Sequence, residues 1–119
     1  MIRTLGILEK IPTNEIKGFL DRIKKLIPSL QSHHCSENME GGFFKRVEMG
    51  TWMGHVVEHI ALEIQVLAGM NCGYGRTRSA NSTGVYNVVF SYELEDAGRY
   101  AAEASVRIAK ALVDNVNYD

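Results

Sequence analysis

Hydrophobic positions recur at helical spacing in three segments of the chain, which predicts three helices. The first helix is expected to begin at Thr13 or Asn14, either of which can cap a helix, and to stop at Pro28. The second is expected over about 51–68 and the third over about 97–113. Helices of this kind bury one stripe of apolar side chains, so they are expected to share a core.

The rest of the pattern predicts a small sheet. Alternating positions over 85–92 are typical of a strand, and residues 1–11 are interpreted as an edge strand or a frayed start. A glycine-punctuated loop or short hairpin carries Arg76 and Arg78. The expected fold class is α+β, a small, mainly antiparallel sheet packed with two or three helices, in a single domain over 1–119.

The predicted second helix has two partly apolar faces, with Thr51 as its expected N-cap and Gly69 just past its end. One face is an apolar stripe of Met53, Val57, Ile60, Ile64 and Leu67. The opposite side carries two histidines and a carboxylate, His55, His59 and Glu63. Because a helix with two partly apolar faces is usually buried between layers, these polar side chains are expected in a largely dry place.

Composition limits the class of protein, its partners and its cellular location. The chain has 119 residues, 45% of them hydrophobic, which suffices for one modest core. Its 13 basic and 14 acidic residues leave a net charge of −1, so neither nucleic acid nor a membrane surface is an expected partner. The sequence has no apolar run of membrane-spanning length and no secretion signal. Cys35 and Cys72 lie far apart, which predicts reduced thiols and a cytoplasmic location.

The order His-x-x-Glu-His occurs at His55, Glu58 and His59, and it is the order that inverted zinc peptidases use. On a helix the two imidazoles are one turn apart on the same side, so both are able to bind one zinc ion. Glu58 lies at the edge of that side. There it is a candidate general base for a water that the metal activates.

A zinc site needs a third protein ligand, and Glu103 on the last predicted helix is the preferred candidate. Glu63 lies roughly 12 Å along the helix from His55, at 1.5 Å per residue, and therefore suits an outer role that orients His59. Cys72 and the cluster His33-His34-Cys35 are alternative ligands.

A metal-free interpretation stays open for all of these residues. The two histidines can be hydrogen-bonded to the backbone or to Glu63, and Glu58 can be a solvated helix residue. Glu103 can form ordinary surface pairs with arginines one turn away. Arg76 and Arg78 can either hold carboxylates with bidentate hydrogen bonds or lie on a solvent-facing turn.

Eight ordered blocks cover much of the sequence, namely Asn14–Ile16, Leu26–Leu30, Gly41–Phe43, Gly50–Glu63, Leu67–Met70, Gly73–Arg78, Gly84–Phe90 and Ala97–Tyr100. In this order, the blocks resemble the N-terminal domain of the cyanophycin synthetase family. The family makes cyanophycin, a polymer with an aspartate backbone and arginine side chains, with an ATP-grasp domain and a domain similar to Mur ligases. This chain has neither domain and no G-x-x-x-x-G-K-[ST] loop, so ATP and Mg²⁺ are expected only in those absent ligase domains.

The resemblance implies two roles for the domain, namely holding the polymer and, in members that keep His-x-x-Glu-His, cutting it into primers. Arg76 and Arg78 would then receive the carboxylates of the polymer, and its guanidinium groups would meet Glu93, Glu95 and Asp96. Expected partners are the polymer and the ligase domains, and self-association into a homo-oligomer is also compatible with the sequence. The rival interpretation is a non-catalytic domain that binds the polymer or only packs against the ligase domains.

Overall fold

The computed structural model describes residues 2–4, 12–33, 41–70, 75–79, 86–90, 92 and 94–114. In chain order, its strands and α-helices are β1 (Ile2–Thr4), α1 (Phe19–Leu26), α2 (Gly42–Met49), α3 (Met53–Leu67), β2 (Gly75–Ser79), β3 (Tyr86–Phe90) and α4 (Glu95–Asp114). Two short 3₁₀ helices, Thr13–Glu15 and Pro28–Ser32, flank α1.

The three strands form one antiparallel sheet in the order β1-β3-β2. Ile2 lies opposite Val88 across the β1–β3 pair, and Gly75 lies opposite Phe90 across the β2–β3 pair. The predicted strand over 85–92 corresponds to β3, and the segment that carries Arg76 and Arg78 is strand β2 beside it.

The expected fold class is wrong in its helical part, because the described residues contain four α-helices rather than two or three. The described chain is predominantly helical, since its strands have three to five residues whereas α4 alone has 20. The helix that the prediction missed is α2. Its eight residues lie between Gly41 and Gly50, both of which have positive φ angles, so the helical period is too short to recognise in the sequence.

Helix α3 lies at the centre of the fold. It packs against α4, against β2 and β3, and against the second 3₁₀ helix. Most of its residues are buried, which confirms the prediction that this helix lies between layers. The last turn leaves the core, because Leu67 is 66% exposed although the predicted apolar stripe included it.

The start of α3 differs from the prediction. Its N-cap is Trp52, which makes no side-chain cap, so the expected capping role of Thr51 is wrong. The backbone N–H of Thr51 instead donates to Thr13 Oγ1 at 3.0 Å, and Thr13 Oγ1 donates to the carbonyl of Val47 at 2.7 Å. The buried Thr13 hydroxyl therefore ties the start of α3 to the end of α2.

The first and last helices also have shifted boundaries. Helix α1 begins at Phe19, because Gly18 has a φ of +76° and separates it from the 3₁₀ helix at Thr13–Glu15. Helix α4 begins at Glu95, ahead of the expected start near Ala97. Over the ranges given above, the structure contains no helix long and apolar enough to cross a membrane.

Candidate functional site: a chain of histidines on α3

The helical spacing of His55 and His59 does bring their rings together. His55 Nε2 and His59 Nε2 lie 3.0 Å apart, and Glu58 Oε2 lies 4.0 Å from His59 Nε2. Glu58 is only 7% exposed, so the interpretation of Glu58 as a solvated helix residue is wrong. Two ring nitrogens and a carboxylate are thus close together on one side of a buried helix.

Hydrogen bonds extend this pair in both directions. Thr51 Oγ1 lies 3.0 Å from His55 Nδ1. On the other side, His33 Nδ1 lies 2.7 Å from His59 Nδ1, and His33 Nε2 lies 2.9 Å from Glu63 Oε1. We call the five side chains Thr51, His55, His59, His33 and Glu63 the histidine chain.

The histidine chain corrects the role expected of Glu63 in one respect. Glu63 was expected to orient His59 from one turn further along α3, but the contact seen between them passes through His33. His33 follows the second 3₁₀ helix and is distant from α3 in sequence. The sequence predicts His33 only as an alternative metal ligand, because nothing in the local pattern indicates a contact with His59, 26 residues away.

Phe43 of α2 covers one face of the site. Its ring is stacked on His59 with the centroids 4.2 Å apart and the planes 22° from parallel. The same ring meets His55 edge-on at 5.7 Å. An apolar ring against both imidazoles excludes water from that side, which strengthens the hydrogen bonds between the histidines.

Burial lowers the pKa of both α3 histidines. The pKa of His55 falls to about 4, first through burial and then through the positive charge of Arg46. The pKa of His59 falls to about 2, again first through burial and then through its neighbours His55 and His33. Both rings are therefore neutral near pH 7, and a neutral imidazole is the form that binds a metal ion.

Arg46 is the cation whose positive charge acts on His55. It lies in the last turn of α2 and is partly buried. Its Nε atom is buried and, within the described ranges, makes no hydrogen bond. Arg46 lies in α2, the helix that the hydrophobic pattern does not predict, so the sequence gives no sign of its place beside His55.

The geometry of the pair suits two ligands of a zinc ion. Nitrogens bound to one tetrahedral zinc at about 2.0–2.1 Å lie roughly 3.3 Å apart, close to the observed 3.0 Å. Among the residues that the structure describes, no group of three or more His, Cys, Asp or Glu side chains is arranged to hold a metal ion. The described part of the site therefore contains two candidate ligands and a nearby carboxylate.

The structure does not bring the expected third ligand to the pair. Glu103 is exposed on α4 and forms no metal-binding group with the two histidines. His34, Cys35 and Cys72, the other candidates, lie outside the described residues. The same is true of Glu93, which was expected to meet the polymer.

Four other residues that were expected to contact the polymer lie within the described part of the chain. Glu95 is exposed in the first turn of α4 and pairs with Arg99 at 2.8 Å, and Asp96 beside it is exposed. Arg76 lies opposite Val89, and Arg78 lies opposite Asn87, both in regular antiparallel pairing.

The fold and the site together define a small, mainly helical domain in which a central helix carries a buried histidine pair. Residues 1–114 match the sequence model of the family described as cyanophycin synthase-like N-terminal domain. The chain belongs to this family.

Similar proteins are cyanophycin synthetases. The chain is 50% identical to the one from Trichormus variabilis over 114 residues, which is 96% of this chain and 13% of that protein. It is 52% identical to the one from Crocosphaera subtropica over 107 residues, 90% of this chain and 12% of the relative. It is 50% identical to the Synechocystis protein over 111 residues, 93% and 13% of the two chains. The chain thus spans about an eighth of the length of these curated relatives.

Proposed function

We propose that this domain acts in cyanophycin synthesis by binding the polymer and cutting it into primers at a zinc site on α3. The observation that carries the proposal is the 3.0 Å separation of His55 Nε2 and His59 Nε2, with Glu58 beside them. Membership of the family supports the choice of substrate, because the relatives are named cyanophycin synthetases. The ligase domains of such a protein are the proposed partners.

His55 and His59 would hold the zinc ion through their Nε2 atoms. When bound, zinc supplies Lewis acidity toward the scissile carbonyl and toward the attacking water. Glu58 takes a proton from that water as the new C–O bond forms. It then returns the proton to the leaving nitrogen as the C–N bond breaks, so the products are a carboxylate and an amine.

The third ligand is left to the segments outside the described residues. Glu103 is exposed and separate from the pair, which removes it from the ligand set in this arrangement. Cys72 and Cys35 are the thiol candidates, since thiolate suits zinc.

A non-catalytic, polymer-binding domain is the second candidate function. It is favoured by the histidine chain itself, in which four contacts of 2.7–3.0 Å give ring nitrogens of all three histidines partners without a metal. One proton between His55 Nε2 and His59 Nε2 gives both neutral rings a hydrogen bond without a metal ion. In that case the domain binds cyanophycin and leaves its length unchanged.

The chain length of purified cyanophycin after incubation with this protein separates the two functions. The protein is first stripped with a chelator and then assayed with and without added zinc. Shortening that requires zinc supports hydrolysis. Retention of the protein on the polymer with no shortening supports the non-catalytic domain, and no retention contradicts both.

Glu58→Gln is the matched test of the general base. It is expected to lower the cleavage rate by about 10²–10⁴-fold while zinc binding and retention on the polymer persist, because the amide cannot accept the proton. The control is Glu48→Gln, the same change at an exposed residue of α2, which should cleave at the wild-type rate. A Glu58→Gln variant that cuts as fast as the control would rule out the proposed mechanism.

Retention on the polymer is tested on strand β2. The double variant Arg76→Gln/Arg78→Gln is expected to weaken binding to insoluble cyanophycin, since bidentate contacts to carboxylates are lost. Arg107→Gln, at an exposed position of α4, is the control. Equal retention of both variants would remove the β2 arginines from the binding surface.

A further inference from the structure

His33 is placed by its backbone as well as by its ring. Its N–H donates to the carbonyl of Leu30 at 3.0 Å, and its own carbonyl accepts the N–H of Phe43 at 3.2 Å. Both backbone groups are therefore held, one by the second 3₁₀ helix and one by α2. The imidazole is presented to α3 from a fixed position rather than from a freely rotating segment.

For singly protonated rings, the contacts of His33 set which ring nitrogen of His33 and of His59 carries the proton. The Glu63 carboxylate can only accept, so His33 Nε2 donates to it at 2.9 Å. A ring with a single proton then has an unprotonated Nδ1, which accepts from His59 Nδ1 at 2.7 Å. With its proton on Nδ1, a neutral His59 has a lone pair on Nε2, the atom that faces His55.

The same geometry excludes His33 as a ligand alongside the pair. His33 approaches the Nδ1 side of the His59 ring, whereas the facing atoms of His55 and His59 are both Nε2. His33 thus lies behind His59 as seen from the point between the two Nε2 atoms. A residue in that place acts through His59 and not on a metal ion or on substrate.

We propose that His33, backed by Glu63, is a positioning residue that holds the proton of His59 on Nδ1 and so directs the Nε2 lone pair toward His55. This role deepens the proposed function and rests on it, because the lone pair on His59 Nε2 is the one that would bind the zinc ion. The tautomer itself is defined without any metal, so it is measurable in the metal-free protein.

The test is long-range ¹H–¹⁵N correlation of the histidine rings in the metal-free protein, combined with zinc titration. In the wild type, His59 should show a pyrrole-type Nδ1 and a pyridine-type Nε2. His33→Phe keeps an aromatic ring but has no nitrogen, so His59 should lose this single tautomer and zinc should bind about 10–100-fold more weakly. His33→Asn restores an acceptor for His59 and is expected to recover much of the affinity.

Matched variants keep the result interpretable. Ser32→Ala changes the exposed neighbouring residue and should alter neither readout. Should His33→Phe fail to fold because the Glu63 carboxylate is left buried, His33→Phe/Glu63→Leu removes that carboxylate as well and should show the same loss of the tautomer. A protonated His59 Nε2 in the wild type, or an unchanged tautomer in the folded variants, would overturn the positioning role.

The failure of the proposed function looks different. The wild-type protein can show the expected His59 tautomer and yet neither bind zinc nor shorten cyanophycin. That result would contradict the hydrolase function and support the positioning role of His33. Weak zinc binding by His33→Phe, with tight zinc binding and cleavage of cyanophycin by the wild type, would support both the hydrolase function and the positioning role.

Discussion

The ring of Phe43 is stacked on His59, with 4.2 Å between the centroids and 22° between the planes. Phe43 is fully buried, and it comes from α2, whereas His59 comes from α3. The short helix α2 therefore covers one side of the histidine pair. If α2 unfolded, the histidine pair would be exposed to water even while α3 stayed helical.

Phe43→Ala is expected to lower the free energy of unfolding by about 3–5 kcal/mol, because it leaves a cavity beside two buried rings. Urea denaturation measures this. Tyr100→Ala is the control, since Tyr100 is 59% exposed, and its change should stay within about 0.5 kcal/mol. Similar losses in both variants would contradict the packing described for Phe43.

Acid should destabilise the metal-free protein. In the unfolded chain both α3 histidines take up protons below about pH 6.5, whereas in the folded state their pKa values are about 4 for His55 and about 2 for His59. The unfolded state binds more protons in this window, so the free energy of unfolding falls as the pH drops from 6.5 toward 4. Each histidine contributes at most about 1.4 kcal/mol per pH unit.

Denaturation at a series of pH values, with a chelator present, checks this slope. His55→Gln should reduce it by about half, because one of two depressed groups is gone. A wild-type slope that the substitution leaves untouched would show that other groups cause the acid sensitivity.

Thr13→Val should cost about 2 kcal/mol or more, because the N–H of Thr51 and the carbonyl of Val47 both lose a buried partner. Val has nearly the shape of Thr, so packing changes little. The exposed Ser32→Ala, whose hydroxyl bonds to the carbonyl of Ser29, is the control and should stay within about 0.5 kcal/mol. Equal denaturation midpoints for the two variants would refute the bridging role of the Thr13 hydroxyl.

Two glycines with positive φ angles provide a matched pair. Gly50 has a φ of +114°, and a Cβ there would lie 2.8 Å from Asn14 Oδ1, whereas Gly69 has a φ of +93° and nothing within 4 Å of such a Cβ. Alanine strains the backbone at both positions, but Gly50→Ala should cost roughly 1 kcal/mol or more beyond Gly69→Ala. Thermal denaturation measures the difference, and it should shrink in an Asn14→Ala background. An equal cost at both sites would mean that Asn14 moves aside freely.

The centre of this site was accessible from the sequence. The spacing of His55 and His59 on a helix of 3.6 residues per turn requires their rings to share a side, and the apolar stripes of that helix indicated burial. The strand β3 was visible from its alternation. These features depend on neighbours within one or two turns, which a sequence displays directly.

The surroundings of the pair depend on distant partners and were missed. His33 meets α3 across 26 residues, and Phe43 lies in an eight-residue helix bounded by glycines. Thr51 has the residue type of an N-cap, but its hydroxyl is close to His55 and its N–H is taken by Thr13. Local residue preferences do not predict these contacts, because the groups that bind Thr51 belong to other elements of the fold.

The order of the strands has a consequence for how the chain folds during synthesis. Among the described strands, β1 is synthesised before β2 and β3, yet Ile2 pairs with Val88 of β3. Helices α1 to α3 lie between these two strands in the sequence, so they are synthesised before β1 can meet its partner. Closing the sheet is therefore a late, long-range event that joins β1 to a strand just before α4.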